Sequence, residues 1–184
     1  MTDDQPGFTD DGIDETLPDV VKKFLQSGAD LEEIRLDSRG KWTHEGLDFE
    51  NPRIIDLFSR SVDRTEGGTW ILEVGRFTYP ITVEDCGFFV ERVDFDRDPP
   101  MLKLSDETTE PLDPETLEYG GKGRLYCRVK DGAFRARFKW DAYHALGERF
   151  VEEDGEIYLE WDGERVSLGD LADIEAMESA GDDS

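Results

Sequence analysis

The run GRFTYPITVEDCGFFVERVDF, residues 75–95, is the longest apolar, strand-forming stretch of the chain and lies near its middle. It carries no catalytic signature. Just before it, Thr69 to Gly75 reads as a strand with Trp70, Leu72 and Val74 alternating on one face, and Gly67-Gly68 breaks the chain ahead of that strand. Further upstream, Asn51-Pro52 opens a helix with an N-cap and a proline in its first position, and Ile54, Ile55, Leu57, Phe58 and Val62 supply the buried side. Glu33 to His44 alternates around a Ser38-Arg39-Gly40 turn, a hairpin with Ile34 and Leu36 on one face and Trp42 on the return. Another helix precedes it over Thr16 to Gln26, with Thr16 as N-cap, Pro18 in the first turn and Gly28 as the stop.

Downstream of the run, an acidic connection bearing Pro99-Pro100 leads to a short strand at Met101 to Leu104 and then to a polar loop reaching Gly121. Arg124 to Lys139 is a second hairpin, in which Leu125, Cys127 and Val129, then Phe134, Ala136 and Phe138, alternate with polar residues around an Asp131-Gly132 turn. A helix at Asp141 to Phe150, strands at Glu156 to Trp161 and Arg165 to Leu168, and a last helix from Gly169 complete the reading. Laid side by side, Ile34 to Val74 and Leu125 to Trp161 share the order hairpin, helix, polar break, strand, with WILEV answering IYLEW. The expected organisation is an acidic disordered tail over 1–15, an N-terminal half over 16–95, a C-terminal half over 96–175 and a frayed tail over 176–184.

A chain of 184 residues accommodates one compact domain or two small lobes sharing a core. No apolar run approaches the roughly 20 residues a spanning helix needs. The first residues are acidic where a signal peptide is basic and then apolar, which reads as a cytoplasmic protein. The net charge of -25 repels phosphates and anionic lipid heads, which disfavours nucleic acid and membrane partners. Seven lysines against 14 arginines, with abundant aspartate, suit a salt-rich cytosol and simple solubility alike. Cys86 and Cys127 lack the spacing of a zinc or redox motif and read as buried free thiols.

The charge is unevenly spread. Lys122 to Lys139 holds seven basic residues and one acid, a local +6, while the remainder carries -31. The strand period puts Arg124, Arg128 and Lys130 on one side of their strand, and Arg135, Arg137 and Lys139 on one side of the next. Such a face suits an anion, since guanidinium groups fit carboxylate and phosphate geometry; it equally suits pairing with the protein's own acids. Glu84 and Asp85 end the central strand and, being adjacent in it, point to opposite faces and make a poor acid and base pair. One of them is expected to cap a turn or to meet the basic hairpin, with Asp85 against Arg128 or Arg135 as the specific pairing. Asp94, Asp96 and Asp98 have the alternation of a calcium loop, but Pro99 stands at the sixth position and Ser105 at the twelfth. His44 and His144 lie in no nucleophile motif. No cofactor and no metal is expected.

IRLDSRGKWTHEGLDFENPRIIDLF, then ITVEDCGFFVERV, then LYCRVKDGAFRARFKWDAYHAL, resemble in that order the bacterial domain-of-unknown-function 1285 family. The matching positions are Ile34, Gly40, Trp42, Gly46, Leu57, Phe58, Val83, Glu84, Asp85, Phe88, Arg128 and Val129, within residues 30–165. Cys86-Gly87 departs from the small residue and proline the family places before the phenylalanine, and the segment after the first helix is less polar than usual. The resemblance implies an α+β fold of two repeated β-rich motifs, each a curved antiparallel sheet carrying a helix and sharing a core, and a role in signal transduction with no catalytic residues. The resulting expectation is a non-enzymatic cytoplasmic regulatory module that binds a small anionic ligand or a protein partner through Arg128, Arg135, Arg137, Glu84 and Asp85. The alternative is a small-molecule enzyme using those carboxylates in an inter-lobe cleft.

Overall fold

The computed structural model describes residues 8–9, 12–27, 32–121, 123–170 and 173. Residues 1–87 and 88–184 form two compact units, so the chain divides at Gly87–Phe88, inside the central apolar run. The architecture is α+β.

The first unit opens with β1 (Phe8–Thr9) paired antiparallel to β2 (Gly12–Ile13), followed by α1 (Asp19–Gln26). α1 starts later than the spacing predicts because Thr16 is committed elsewhere: its N–H and its hydroxyl donate to Asp14 Oδ1 at 2.8 and 2.6 Å. Pro18 stands at the cap position instead. Leu17 and Leu25 close over Ile71, with Ile13 and Val21 packed alongside.

A hairpin follows, β3 (Ile34–Leu36) with β4 (Trp42–His44), extended by β5 (Leu47–Asp48). α2 (Pro52–Ser61) is capped as expected, the Asn51 side chain accepting from the Arg53 N–H at 3.0 Å. Trp42 ties the hairpin to this helix. It is 3 % exposed, meets Phe58 edge-on at 5.4 Å and donates its indole N–H to Ser59 Oγ at 3.1 Å. β6 (Val62–Arg64), β7 (Trp70–Val74) and β8 (Phe77–Pro80) form an antiparallel meander, and β9 (Thr82–Val83) returns parallel to β3. Both Ile71 and Leu72 of β7 are buried, so this strand is covered on two faces where alternation predicted one.

Asp14 is a buried carboxylate of this unit. The segment expected as a disordered tail is, over residues 12–15, part of the folded structure, because this 5 % exposed carboxylate accepts from four donors. Two come from Thr16, and the hydroxyls of Thr65 and Thr69 supply the others. Thr16 Oγ1 accepts in turn from the Gly67 N–H at 2.8 Å, and a Cβ on Gly67 would fall 1.9 Å from Asp14 Oδ1. Glycine is therefore required there by approach rather than by φ. Burial alone would raise the Asp14 carboxyl; the hydrogen bonds from Thr16, Thr65 and Thr69 overcome it and hold the group far below the usual carboxylate range.

The second unit contains β10 (Phe88–Asp94), β11 (Met101–Leu104), β12 (Thr109–Pro111), a 3-10 turn at Pro114–Thr116, β13 (Glu118–Gly120), β14 (Arg124–Val129) and β15 (Phe134–Phe138). They form one six-stranded sheet in the order β12-β11-β10-β15-β14-β13. β10 belongs here through its ladders with β11 and β15, which moves the boundary expected after Phe95 to its amino-terminal side. The polar loop expected up to Gly121 is largely structured; three-residue edge strands such as TEP and EYG are too short to show an alternation. α3 (Trp140–Gly147) packs on β10 with Ala142 and Leu146 buried, and ends before Phe150, which opens β16 (Phe150–Glu153). β17 (Glu156–Trp161) and β18 (Glu164–Asp170) complete a second meander. Gly169, read as the start of a last helix, sits in β18 opposite Ile157 at a register shift, with φ of 120°. Beyond Asp170, apart from Asp173, that expected helix and the tail over 176–184 lie outside the described residues.

Both units thus contain, in order, hairpin, helix and strand, as the repeat predicts, and in each that strand is the middle one of a three-stranded meander. Neither hairpin sheet is purely antiparallel: β9 adds to the first hairpin strand and β10 to the second, each in parallel. The repeat is one of element order, with different strand pairing.

Asp14→Asn removes the charge and turns an acceptor into a donor among four donors, which is expected to cost about 1–3 kcal/mol in a denaturant titration at pH 7. Because the native carboxyl titrates below its ordinary value of 3.8, its contribution is complete above that pH and declines below it, where the unfolded chain takes up a proton that the native carboxylate does not. The difference between wild type and Asp14→Asn should therefore hold from pH 7 to about pH 5 and shrink steadily as the pH falls below 3.8.

Candidate functional site

The β14–β15 hairpin pairs Tyr126 with Arg137, Cys127 with Ala136, Arg128 with Arg135 and Val129 with Phe134. Successive side chains alternate faces, so Leu125, Cys127, Val129, Phe134, Ala136 and Phe138 share one face, which is buried or half-buried. Arg124, Tyr126, Arg128, Arg135 and Arg137 occupy the other. The expected basic face forms, centred on Arg128, Arg135 and Arg137, with one member removed: Lys130 has φ of 55° in the turn with Asp131 and Gly132 and leaves the strand path. Its Nζ lies 2.6 Å from Asp106 Oδ2, 3.9 Å from Glu110 Oε1 and 5.5 Å from the Phe88 ring centroid, and donates to Thr108 Oγ1. The Asp106 carboxyl, which burial alone would raise, is held below its ordinary value by the Lys130 ammonium and the Thr108 hydroxyl and N–H. Lys122 lies outside the described residues.

Tyr126 and Glu118 join the face without having been singled out in the sequence. Tyr126, 3 % exposed, lies between Gly120 of β13 and the Arg135 guanidinium, whose Cζ stands 3.5 Å above the ring centroid. Glu118 of β13 pairs with Tyr126 across the ladder and brings Oε1 to 2.6 Å from Arg135 Nε. The approach is charge against charge: the Nε–H is shut off from water and makes no in-line hydrogen bond. At the end of β15, Lys139 meets Glu91 at 2.8 Å and lies 5.8 Å from the Phe89 centroid. Lys130, Arg135 and Lys139 are thus met by acids of the same unit. The period of two, run back from Arg128, reaches Tyr126; Glu118 was hidden in what read as a loop.

Glu84 and Asp85 belong to the first unit. Glu84 Oε1 accepts from Arg35 Nη1 at 3.1 Å and its Oε2 from the Ser38 N–H at 3.0 Å, so it caps the β3–β4 turn, as one of the two was expected to do. Asp85 sits half-buried in the bend after β9. In the acidic connection Asp94 accepts from the Asp96 N–H and Asp98 from the indole N–H of Trp161 on β17. Among the described residues no group of three or more His, Cys, Asp or Glu could hold a metal ion. Cys86 and Cys127 are buried free thiols. No helix of the described residues is long and apolar enough to cross a membrane. A cleft of about 330 Å³ lies at the β17–β18 turn beside Arg149, Trp161 and Arg165. Arg165 is already spent on Glu153 at 2.7 Å, Glu160 at 3.2 Å and the Tyr158 ring at 4.0 Å.

Two solved structures share this fold. A DUF1285 family protein from Silicibacter pomeroyi DSS-3 superposes with a TM-score of 0.60 over 78 % of this chain and 83 % of that one, at 18 % identity. A DUF1285 family protein from Shewanella baltica OS155 superposes with a TM-score of 0.52 over 67 % of this chain and 96 % of that one, at 13 % identity. The resemblance read from the residues is therefore met at the level of the fold. No family model and no curated protein sequence matches the chain.

The Tyr126 ring restricts position 120 to glycine, since a Cβ there would fall 2.6 Å from Tyr126 Cε2 and 3.3 Å from Arg135 Nη2. Gly120→Ala is expected to push the ring aside and cost about 1–3 kcal/mol in chemical denaturation. An unchanged midpoint would show that the stack is not fixed.

Proposed function

We propose that the chain is a non-enzymatic binding module, of a regulatory or signalling kind, and that the Arg128, Arg135 and Arg137 face of the six-stranded sheet receives an anion. The observation that carries this reading is the direct cross-strand pairing of Arg128 with Arg135. Like charges in opposite positions of a ladder repel, and such pairs destabilise a sheet by roughly 0.2–1 kcal/mol. A chain with 46 acids and 21 bases has carboxylates to spare for that position. Placing two guanidinium groups there instead makes sense where a third, anionic body settles between them. Arg137, one position further along the same face, extends the surface, and the buried Tyr126 ring supports Arg135 from beneath. Glu84 is taken up by Arg35 and Ser38 and is not part of this site.

A functional pair of this kind costs the free protein stability. Arg128→Thr relieves the repulsion and supplies a strand-forming residue, so its thermal midpoint without ligand is expected to equal or exceed that of wild type by up to about 3 °C. In a thermal-shift series with citrate, pyrophosphate and ATP at low salt, wild type should rise in midpoint through mass action while Arg128→Thr does not. Equal shifts in both proteins, or none in either, would remove the basis for an anion site here.

A further inference from the structure

We infer that Glu118 is a built-in competitor for this site, and that the ligand it holds the place of is a small di- or tricarboxylate. The inference rests on the anion-binding reading above and deepens it. Glu118 brings a carboxylate to the Arg135 guanidinium from β13, a three-residue strand at the edge of the sheet that is followed by Gly121 and Gly123. One ladder alone holds β13 to the sheet. Edge strands carrying glycine shift at low cost.

The quality of the contact makes displacement favourable. Glu118 Oε1 approaches Arg135 Nε to 2.6 Å yet leaves the Nε–H without an in-line hydrogen bond, while covering it from water. A donor so covered is satisfied neither by solvent nor by its neighbour. A free carboxylate can approach in the guanidinium plane and take two parallel hydrogen bonds, the geometry Glu118 does not reach from β13. Tyr126 fixes that plane from below. A second carboxylate on the same molecule then meets Arg128, the cross-strand neighbour of Arg135. The resident carboxylate sets a threshold: weak or singly charged anions do not repay its displacement, and those that bridge both arginines do.

The test is calorimetric titration of citrate and, separately, pyrophosphate into wild type, Glu118→Gln, Glu115→Gln and Arg135→Ala. Glu115 is exposed on the 3-10 turn and controls for the loss of one negative charge. Glu118→Gln should bind citrate about fivefold more tightly than wild type, the equivalent of one surface ion pair of about 1 kcal/mol. Glu115→Gln should change affinity less than twofold, and Arg135→Ala should bind neither probe. Equal affinities in Glu118→Gln and Glu115→Gln would overturn the competitor role and leave the anion site standing. A gain for pyrophosphate without one for citrate would overturn the carboxylate assignment. No binding of either probe by any of the proteins would overturn both this inference and the reading it rests on.

Discussion

The parallel pairing of β10 with β15, Phe88 opposite Ala136 through Val90 opposite Phe138, is the constraint on which the second unit is built. Parallel neighbours cannot be joined by a tight turn, so the chain between them has to leave the sheet line and come back. Here the excursion is made of strands: β11 and β12 extend one side of β10, and β13 and β14 extend the far side of β15. β10 is thus internal, with Phe88, Phe89 and Val90 buried in succession on both faces. The basic face exists only because β15 is fixed from one side by β10 and from the other by β14. The first unit obeys a shorter version of the same rule, with β9 returning alongside β3 and the Glu84 carboxylate capping the hairpin turn just beyond it.

The distribution of charge follows from that sheet. Apart from the turn residue Asp131, every position of the hairpin that could hold an acid on the outer face holds an arginine, a tyrosine or a lysine, in a protein where acids outnumber bases by 46 to 21. The carboxylates that meet this face come from its flanks, Glu118 on β13 and Glu91 on β10, and both ion pairs are half-exposed. Pairs of that kind are worth little in water and are screened by salt. They order the side chains without closing the surface, whereas the Lys130 cluster with Asp106 and Glu110 is drawn into the sheet's other side.

Much of this was legible in the residues. Period-two alternation placed both hairpins and the apolar side of β14 and β15, Asn51-Pro52 marked α2, and the shared order of elements in the two halves is present. What escaped had physical reasons. Two- and three-residue strands such as β9, β12 and β13 are too short to carry a period, and parallel partners distant in sequence leave no local mark. Gly169 punctuates a bulge as readily as a helix start. Lys130 left the face because three consecutive residues of the turn take positive φ, which strand alternation does not foresee. Asp14 was invisible because a buried carboxylate solvated by threonine hydroxyls looks, in sequence, like one more acid in an acidic stretch.

That threonine cage has a consequence for how the protein meets its solution. The deepest negative charge described in the first unit is neutralised by dipoles at hydrogen-bond distance instead of by a cation. Electrolyte screens a buried charge held by uncharged donors only weakly, whereas the exposed charges that make up most of the net -25 are open to it. The fold therefore keeps one dipole-solvated charge, weakly sensitive to ionic strength, beneath an ionic-strength-responsive coat.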